Sequence, residues 1–357
     1  MASPITLGNP VLAVNRLGAA QIREYDTAGA LVQTVVSYTI GTPDFVTLED
    51  LAFAPDGTLY ALDVGSGTFV KVAPDGTVTR TSEFYSGLPP SAALQSDFPQ
   101  SLAFGTDGRM FVGSDAISPL DVMSFTEFDP ADGSYISETN IPPAASYPGW
   151  DDSYGPKVVG ITIGPGGELY FNDGDSGQTS GALRIDPGTG EYIAGEIWQL
   201  VAKYDGGVLT HLGPDLFDVA SGLQNFGGPF RMALRSNGQF ICGTRYDPQL
   251  TYANGEGFGS GNWVYQLDTD GSILNTHKEA VAYSNFCHNI ILDGATAWLG
   301  YGQGDPSSPT SQTGRVVQLN LDTGVFTELF SMGYVYAALA VRVAASFRRR
   351  VWGQVIG

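Results

Sequence analysis

The stretch LAFAPDGTLYALDVGSGTFVKVAPDGTVTR, residues 51–80, sets down Ala-Pro-Asp-Gly twice, 19 residues apart, inside one run of alternating apolar positions. Alternation with a period of two marks a strand with one buried face. Asp-Gly between two such runs marks a hairpin turn, because glycine adopts positive φ without steric cost. Read this way, the stretch holds four antiparallel strands joined by tight turns.

The pattern recurs along the chain. It reads SLAFGTDGRMFVGSD from Ser101, GITIGPGGELYFNDGD from Gly160, RMALRSNGQFICGTR from Arg231 and NIILDGATAWLGYG from Asn289. The turn glycines Gly57, Gly108, Gly167, Gly238 and Gly294 are 51, 59, 71 and 56 residues apart. Four-stranded units at such a period indicate a β-propeller, in which neighbouring sheets cover faces that no single sheet can bury. The expectation is an all-β six-bladed β-propeller over 1–357, with seven blades as the alternative and four-stranded antiparallel blades throughout. The segments VLAVNRLGAAQIREYDTAGALVQTVV and YVYAALAVRVAAS remain at the two ends. Shared between them, a last blade closed by N- and C-terminal strands would remove the open edge.

LEDLAFAPDGTLYALD resembles the NHL-type repeat and the wider six-bladed set of gluconolactonases, paraoxonases and strictosidine synthases. The resemblance concerns the fold and leaves activity open. It implies a central channel lined by the innermost strands, with the first residues of those strands at its mouth. Aligned on the turns, these are Glu49 and Asp50, Gln100 and Ser101, Val159 and Gly160, Phe230 and Arg231, His288 and Asn289, and Ala337 and Ala338. The channel-mouth ligand candidates are therefore Glu49, Asp50, Gln100, Arg231, His288 and Asn289.

Two readings of that set compete. The hydrolases in the resemblance hold calcium at this mouth with Glu, Asn and Asp, and the ion polarises a carbonyl or activates water. Glu49, Asp50 and Asn289 match, whereas Arg231 brings a cation where a ligand oxygen is wanted. In the other reading the residues form a structural network, with Arg231 paired to Glu49 or Asp50 and no cofactor. Asn172, Asp173 and Asp175 in NDGDSGQTSG are weaker calcium candidates, since the loop lacks the closing Glu of an EF-hand. No GxSxG, HExxH or P-loop occurs in the chain.

The bulk numbers narrow the partners. Against 37 acids stand 17 bases, a net charge of −20, and Arg342, Arg348, Arg349 and Arg350 fall near the end of the chain. Such a surface repels nucleic acid and anionic membrane. No apolar run is long enough for a membrane span, and the start of the chain lacks the pattern of a secretory signal. The two cysteines, Cys242 and Cys287, read as buried small apolar residues. Long insertions at 140–157 and 245–263 carry Tyr147, Trp150, Tyr154, Tyr252, Phe258 and Trp263, candidates for contact with a protein or glycan surface. The resulting expectation is a non-enzymatic structural or binding module, cytoplasmic or assembled into a phage or other virion, as a homo-oligomer or within a larger assembly. A calcium-dependent lactonase or esterase is the alternative. The basic tail 347–357 carries no assignable role.

Overall fold

The repeated glycines take up the backbone that their turns require. Gly57, Gly108, Gly167, Gly238 and Gly294 have φ values of +88°, +90°, +89°, +86° and +62°. In the opening stretch, the Ala54 N–H donates to the Thr58 carbonyl and the Gly57 N–H to the Ala54 carbonyl. The turn is thus a three-residue loop that ends on a left-handed glycine. Asp56 Oδ1 secures it by accepting from the Thr58 N–H at 2.8 Å. The second copy is built alike, with Ala73 on Thr77, Gly76 at +85° and Asp75 Oδ1 on the Thr77 N–H.

The computed structural model describes residues 2–16, 19–39, 48–89, 98–115, 124–140, 158–164, 167–173, 183–185, 192–194, 201–205, 208–212, 229–235, 237–244, 262–268, 273–279, 286–303, 313–332 and 338–343. The strands are β1 (Pro10–Arg16), β2 (Ala19–Tyr25), β3 (Leu31–Thr39), β4 (Leu48–Phe53), β5 (Leu59–Asp63), β6 (Thr68–Val72), β7 (Val78–Arg80), β8 (Phe98–Phe104) and β9 (Met110–Asp115). They continue with β10 (Ser124–Phe128), β11 (Tyr135–Asn140), β12 (Val158–Ile163), β13 (Leu169–Asp173), β14 (Leu183–Ile185), β15 (Tyr192–Ala194), β16 (Val201–Asp205) and β17 (Val208–Leu212). The remainder are β18 (Pro229–Leu234), β19 (Phe240–Thr244), β20 (Asn262–Leu267), β21 (Ile273–Glu279), β22 (Phe286–Asp293), β23 (Thr296–Gln303), β24 (Thr313–Asn320), β25 (Phe326–Met332) and β26 (Ala338–Val341). Among the described residues there is no α-helix, and no helix is long and apolar enough to cross a membrane.

These strands form a β-propeller with four-stranded antiparallel blades. In order, the blades are β4-β5-β6-β7, β8-β9-β10-β11, β12-β13-β16-β17, β18-β19-β20-β21 and β22-β23-β24-β25, and a separate β14-β15 pair falls in the chain between β13 and β16. A further four-stranded sheet, β26-β1-β2-β3, joins the two ends of the chain. Apart from this terminal sheet the blades number five among the described residues, against the six or seven expected. Insertions lengthen individual units, and the terminal sheet is assembled from both ends of the chain, as the leftover segments implied.

Period-two alternation explains how the terminal sheet is held. On β1, Val11 and Ala13 pack with Leu51, Leu59 and Ala61 of the first blade. The residues between them, Leu12 and Val14, pack with Trp298 and Val316 of the fifth. One strand thus supplies two blade interfaces from its two faces. The next interface follows the same rule: Tyr60 and Leu62 turn from the terminal sheet towards Leu102, Met110 and Val112 of the second blade. Side by side around the axis stand β26, β4, β8, β12, β18 and β22, with β22 returning to β26. Polar ties reinforce the interfaces. Tyr38 on β3 donates to buried Asp63 at 2.6 Å, and Arg315 on β24 meets Glu279 on β21 at 2.6 Å.

Candidate functional site

The first turns of the inner strands share an irregularity that places the candidate residues. In β4 the ladder with β5 steps from Leu48 to Asp50, leaving Glu49 unmatched. The same step passes over Gln100 in β8, Val159 in β12, Phe230 in β18 and His288 in β22. Each is a β-bulge, which kinks its strand and re-aims the neighbouring side chain. The residue after each bulge, Asp50, Ser101, Gly160, Arg231 or Asn289, then stands at one level of the axis. The side chains of Gln100 and His288 lie outside the described residues.

Asp50 is the centre of the group. Its Oδ1 accepts from the Leu51 N–H at 2.9 Å and from Asn289 Nδ2 at 3.1 Å, and its Oδ2 accepts from the Leu102 N–H at 2.9 Å. Arg231 Nη1 stands 3.9 Å from the same Oδ2. The far end of Asn289 accepts from the Leu339 N–H at 2.9 Å. Because Asn289 donates at one end and accepts at the other, both neighbours fix the orientation of its amide. Between them, Asp50 and Asn289 tie β4 to β8, β22 and β26. All of these groups are buried.

The same burial sets the electrostatics. Loss of water pushes the Asp50 carboxyl above its usual range, against the pull of Arg231 and the three hydrogen bonds. Those donors fit the ionised carboxylate, which accepts at every lone pair. Glu49 lacks this support. Burial and the neighbouring Asp50 charge raise it, Arg231 lowers it, and its pKa settles at about 7 against an ordinary 4.5. Both cysteines are buried without a disulfide, and burial pushes the Cys287 thiol up to about 12 and that of Cys242 higher still.

Glu49 gives a pH dependence with a definite sign. Between pH 4.5 and about 7 the native state keeps a proton that the unfolded chain has released. Stability therefore falls as pH rises through that window and levels off above it. Glu49→Gln should flatten this fall by up to about 3 kcal/mol. Urea midpoints across the window measure it, and a slope identical to the wild type would exclude Glu49 as the source.

Among the described residues, those around Asp50 do not fit calcium. Asp50 oxygens are engaged by N–H donors, a guanidinium stands beside them, and the matching position in β12 is glycine. No group of three or more His, Cys, Asp or Glu able to hold a metal occurs among the described residues. Of the weaker calcium candidates, Asn172 and Asp173 close strand β13 instead of sitting in a loop, and Asp175 lies outside the described residues. Tyr147, Trp150, Tyr154, Tyr252 and Phe258 also lie outside them. Trp263 proves to be a strand residue of β20, paired with Lys278, so its insertion ends before Asn262. The basic tail 347–357 is likewise outside the described residues.

Around this network a cavity of about 230 Å³ opens on the axis. Asp50, Arg231 and Asn289 are its polar lining, and Leu51, Phe53, Leu102, Ile161, Met232 and Ile290 supply apolar walls. Sequence reasoning located the polar side chains but missed their chief partners, the backbone N–H groups of Leu102 and Leu339. A backbone donor leaves no residue-type signal. Only the phase of the strand after each bulge could have pointed to it.

No family model and no curated protein matches the chain. Among solved structures it is similar to a Bacteroides caccae protein of unknown function, at 13% identity and a TM-score of 0.50, covering 94% of this chain and 98% of that one. It is also similar to virginiamycin B lyase from Staphylococcus aureus, at 13% identity and a TM-score of 0.43, covering 95% and 87% of the two chains. A luciferin-regenerating enzyme follows at 12% identity and 0.46, covering 81% and 77%. At these identities the likeness concerns the fold alone.

Proposed function

We propose that this protein is a non-enzymatic β-propeller that serves as a rigid binding scaffold, six-bladed once the terminal sheet is counted as a blade. The observation that carries this reading is the use made of the channel-mouth side chains. Asp50 and Asn289, the best-placed candidates for chemistry, are engaged in hydrogen bonds that tie neighbouring inner strands together. A network so used is poorly placed to bind a cation or activate water.

Partner contact then falls to the insertions 140–157 and 245–261 and to Trp263 at the start of β20, whose aromatics offer large contact area for little lost entropy. Their surrounding acids disfavour nucleic acid and suit a protein or glycan surface. Assembly into a phage or other virus particle is one form of this reading, and it requires self-association or a larger complex. The test is the double variant Trp150→Ala/Trp263→Ala, followed by sedimentation velocity, binding to a glycan array and melting temperature. Loss of self-association or glycan binding at an unchanged melting temperature is expected. A lower melting temperature with association intact would make the rings internal plugs.

A second reading draws on Glu49 alone. A carboxyl titrating near neutral pH suits general acid–base work on a lactone or ester. Turnover of a lactone and ester panel, abolished by Glu49→Gln, would favour it over the scaffold.

A further inference from the structure

In an antiparallel ladder, every second residue turns its N–H and carbonyl away from its partner strand. The turns set the phase. Ala54 donates to Thr58, Gly105 to Arg109, Gly164 to Glu168 and Arg235 to Gln239. Counting back along the registers places Leu51, Leu102, Ile161 and Met232 in pairs that exchange no hydrogen bond. Ile290 occupies the same step after its bulge in β22. Their N–H groups therefore face the axis, as those of Leu51 and Leu102 do in reaching Asp50. Leu339 of β26 completes the level through its bond to Asn289.

Six inner strands thus present six N–H donors at one height, and the ring is filled unevenly. Leu51 and Leu102 donate to Asp50, and Leu339 donates to Asn289. On the opposite arc stand Ile161, Met232 and Ile290 in the consecutive strands β12, β18 and β22, and no side-chain acceptor reaches them among the described residues. The side chains placed to do so are unsuited to it. Gly160 has none, Arg231 is a donor only, and the buried Ser101 hydroxyl has no hydrogen-bond partner. The buried Arg231 guanidinium adds positive charge to this arc, and the cavity opens beside it.

Asp50 shows what such a ring accepts: one carboxylate bridging adjacent N–H groups with Arg231 nearby. We propose that the opposite arc binds the carboxylate of a small apolar acid, on the N–H groups of Ile161, Met232 and Ile290 beside Arg231. The apolar body of the acid enters the channel between Leu102, Ile161, Met232 and Ile290. The volume suits a group somewhat larger than benzene, which fills a cavity of about 150 Å³. This site is independent of the loops in the scaffold reading, and a failure of either leaves the other standing.

The test is calorimetric titration of the full-length protein with benzoate, against benzyl alcohol and benzamide as neutral analogues. Benzoate should bind at least about tenfold more tightly than either. Gly160→Asp should place an internal carboxylate on the Ile161 and Met232 N–H groups, as Asp50 does on those of Leu51 and Leu102. It should abolish benzoate binding without lowering the melting temperature. Should that variant fail to fold, Ser101→Asp supplies the acceptor to Ile161 from the neighbouring strand and should weaken benzoate at least about tenfold. No heat with millimolar benzoate, equal binding of benzyl alcohol, or unchanged affinity in the folded variant would each overturn the proposal.

Discussion

Removal of residues 334–357, β26 included, should abolish cooperative folding or lower the melting temperature by well over 10 °C. The strand is short, yet Ala338, Leu339, Ala340 and Val341 are all almost fully buried. Its loss exposes β1 along the axis and opens the contact with β4 on one side and β22 on the other. Truncating a buried leucine alone costs about 2–5 kcal/mol, against a total stability of about 5–15 kcal/mol for a typical protein. Losing four ladder residues and the Leu339–Asn289 bond exceeds what such a margin absorbs. Calorimetry on the truncated chain measures this, and a peptide spanning 334–343 added in trans should restore part of the transition by strand addition. A truncated chain that melts like the full-length protein would place ring closure elsewhere.

The second large effect is expected at Asp50. Replacement by alanine strands the Leu51 and Leu102 N–H groups and the Asn289 amide, and removes the carboxylate beside Arg231. Breaking a buried ion pair from one side costs about 3–5 kcal/mol, because the remaining charge stays buried. Urea unfolding of Asp50→Ala should show a loss of that order. Adding Arg231→Met should recover part of it, since the double variant removes the charge along with its partner. A loss below about 1 kcal/mol would mean that water replaces the carboxylate.

Both expectations rest on features legible in the chain to different degrees. The Ala-Pro-Asp-Gly turns at 54–57 and 73–76 announced themselves, because a left-handed position that glycine fills without strain leaves a local signature. The strands beside them were equally plain, since burial of alternate residues needs only period two. The pairing of the two termini was inferable from the cost of an open edge. The number of blades was not. Insertions stretched the glycine spacing to 71 residues in one interval, and the β1–β3 sheet acquires its fourth strand only from the far end of the chain.

The candidate site divides along the same line. Glu49, Asp50, Arg231 and Asn289 could be named from the sequence because equivalent positions in repeated units must meet around an axis. Their roles could not. The extra residue at Glu49, and at each position equivalent to it, is visible only in how one strand pairs with the next. That offset decides that Asp50 accepts from Leu102 in the adjacent blade, whereas Glu49, one residue earlier, is left with a carboxyl that titrates near neutral pH. The sequence by itself determined the repeating strand–turn unit and the acidity of the protein, because both follow from local chemistry. Only the tertiary structure decided which N–H groups face the axis and which carboxylate meets them. Those choices depend on the phase and stagger of strands up to 239 residues apart, as for Asn289 and Asp50.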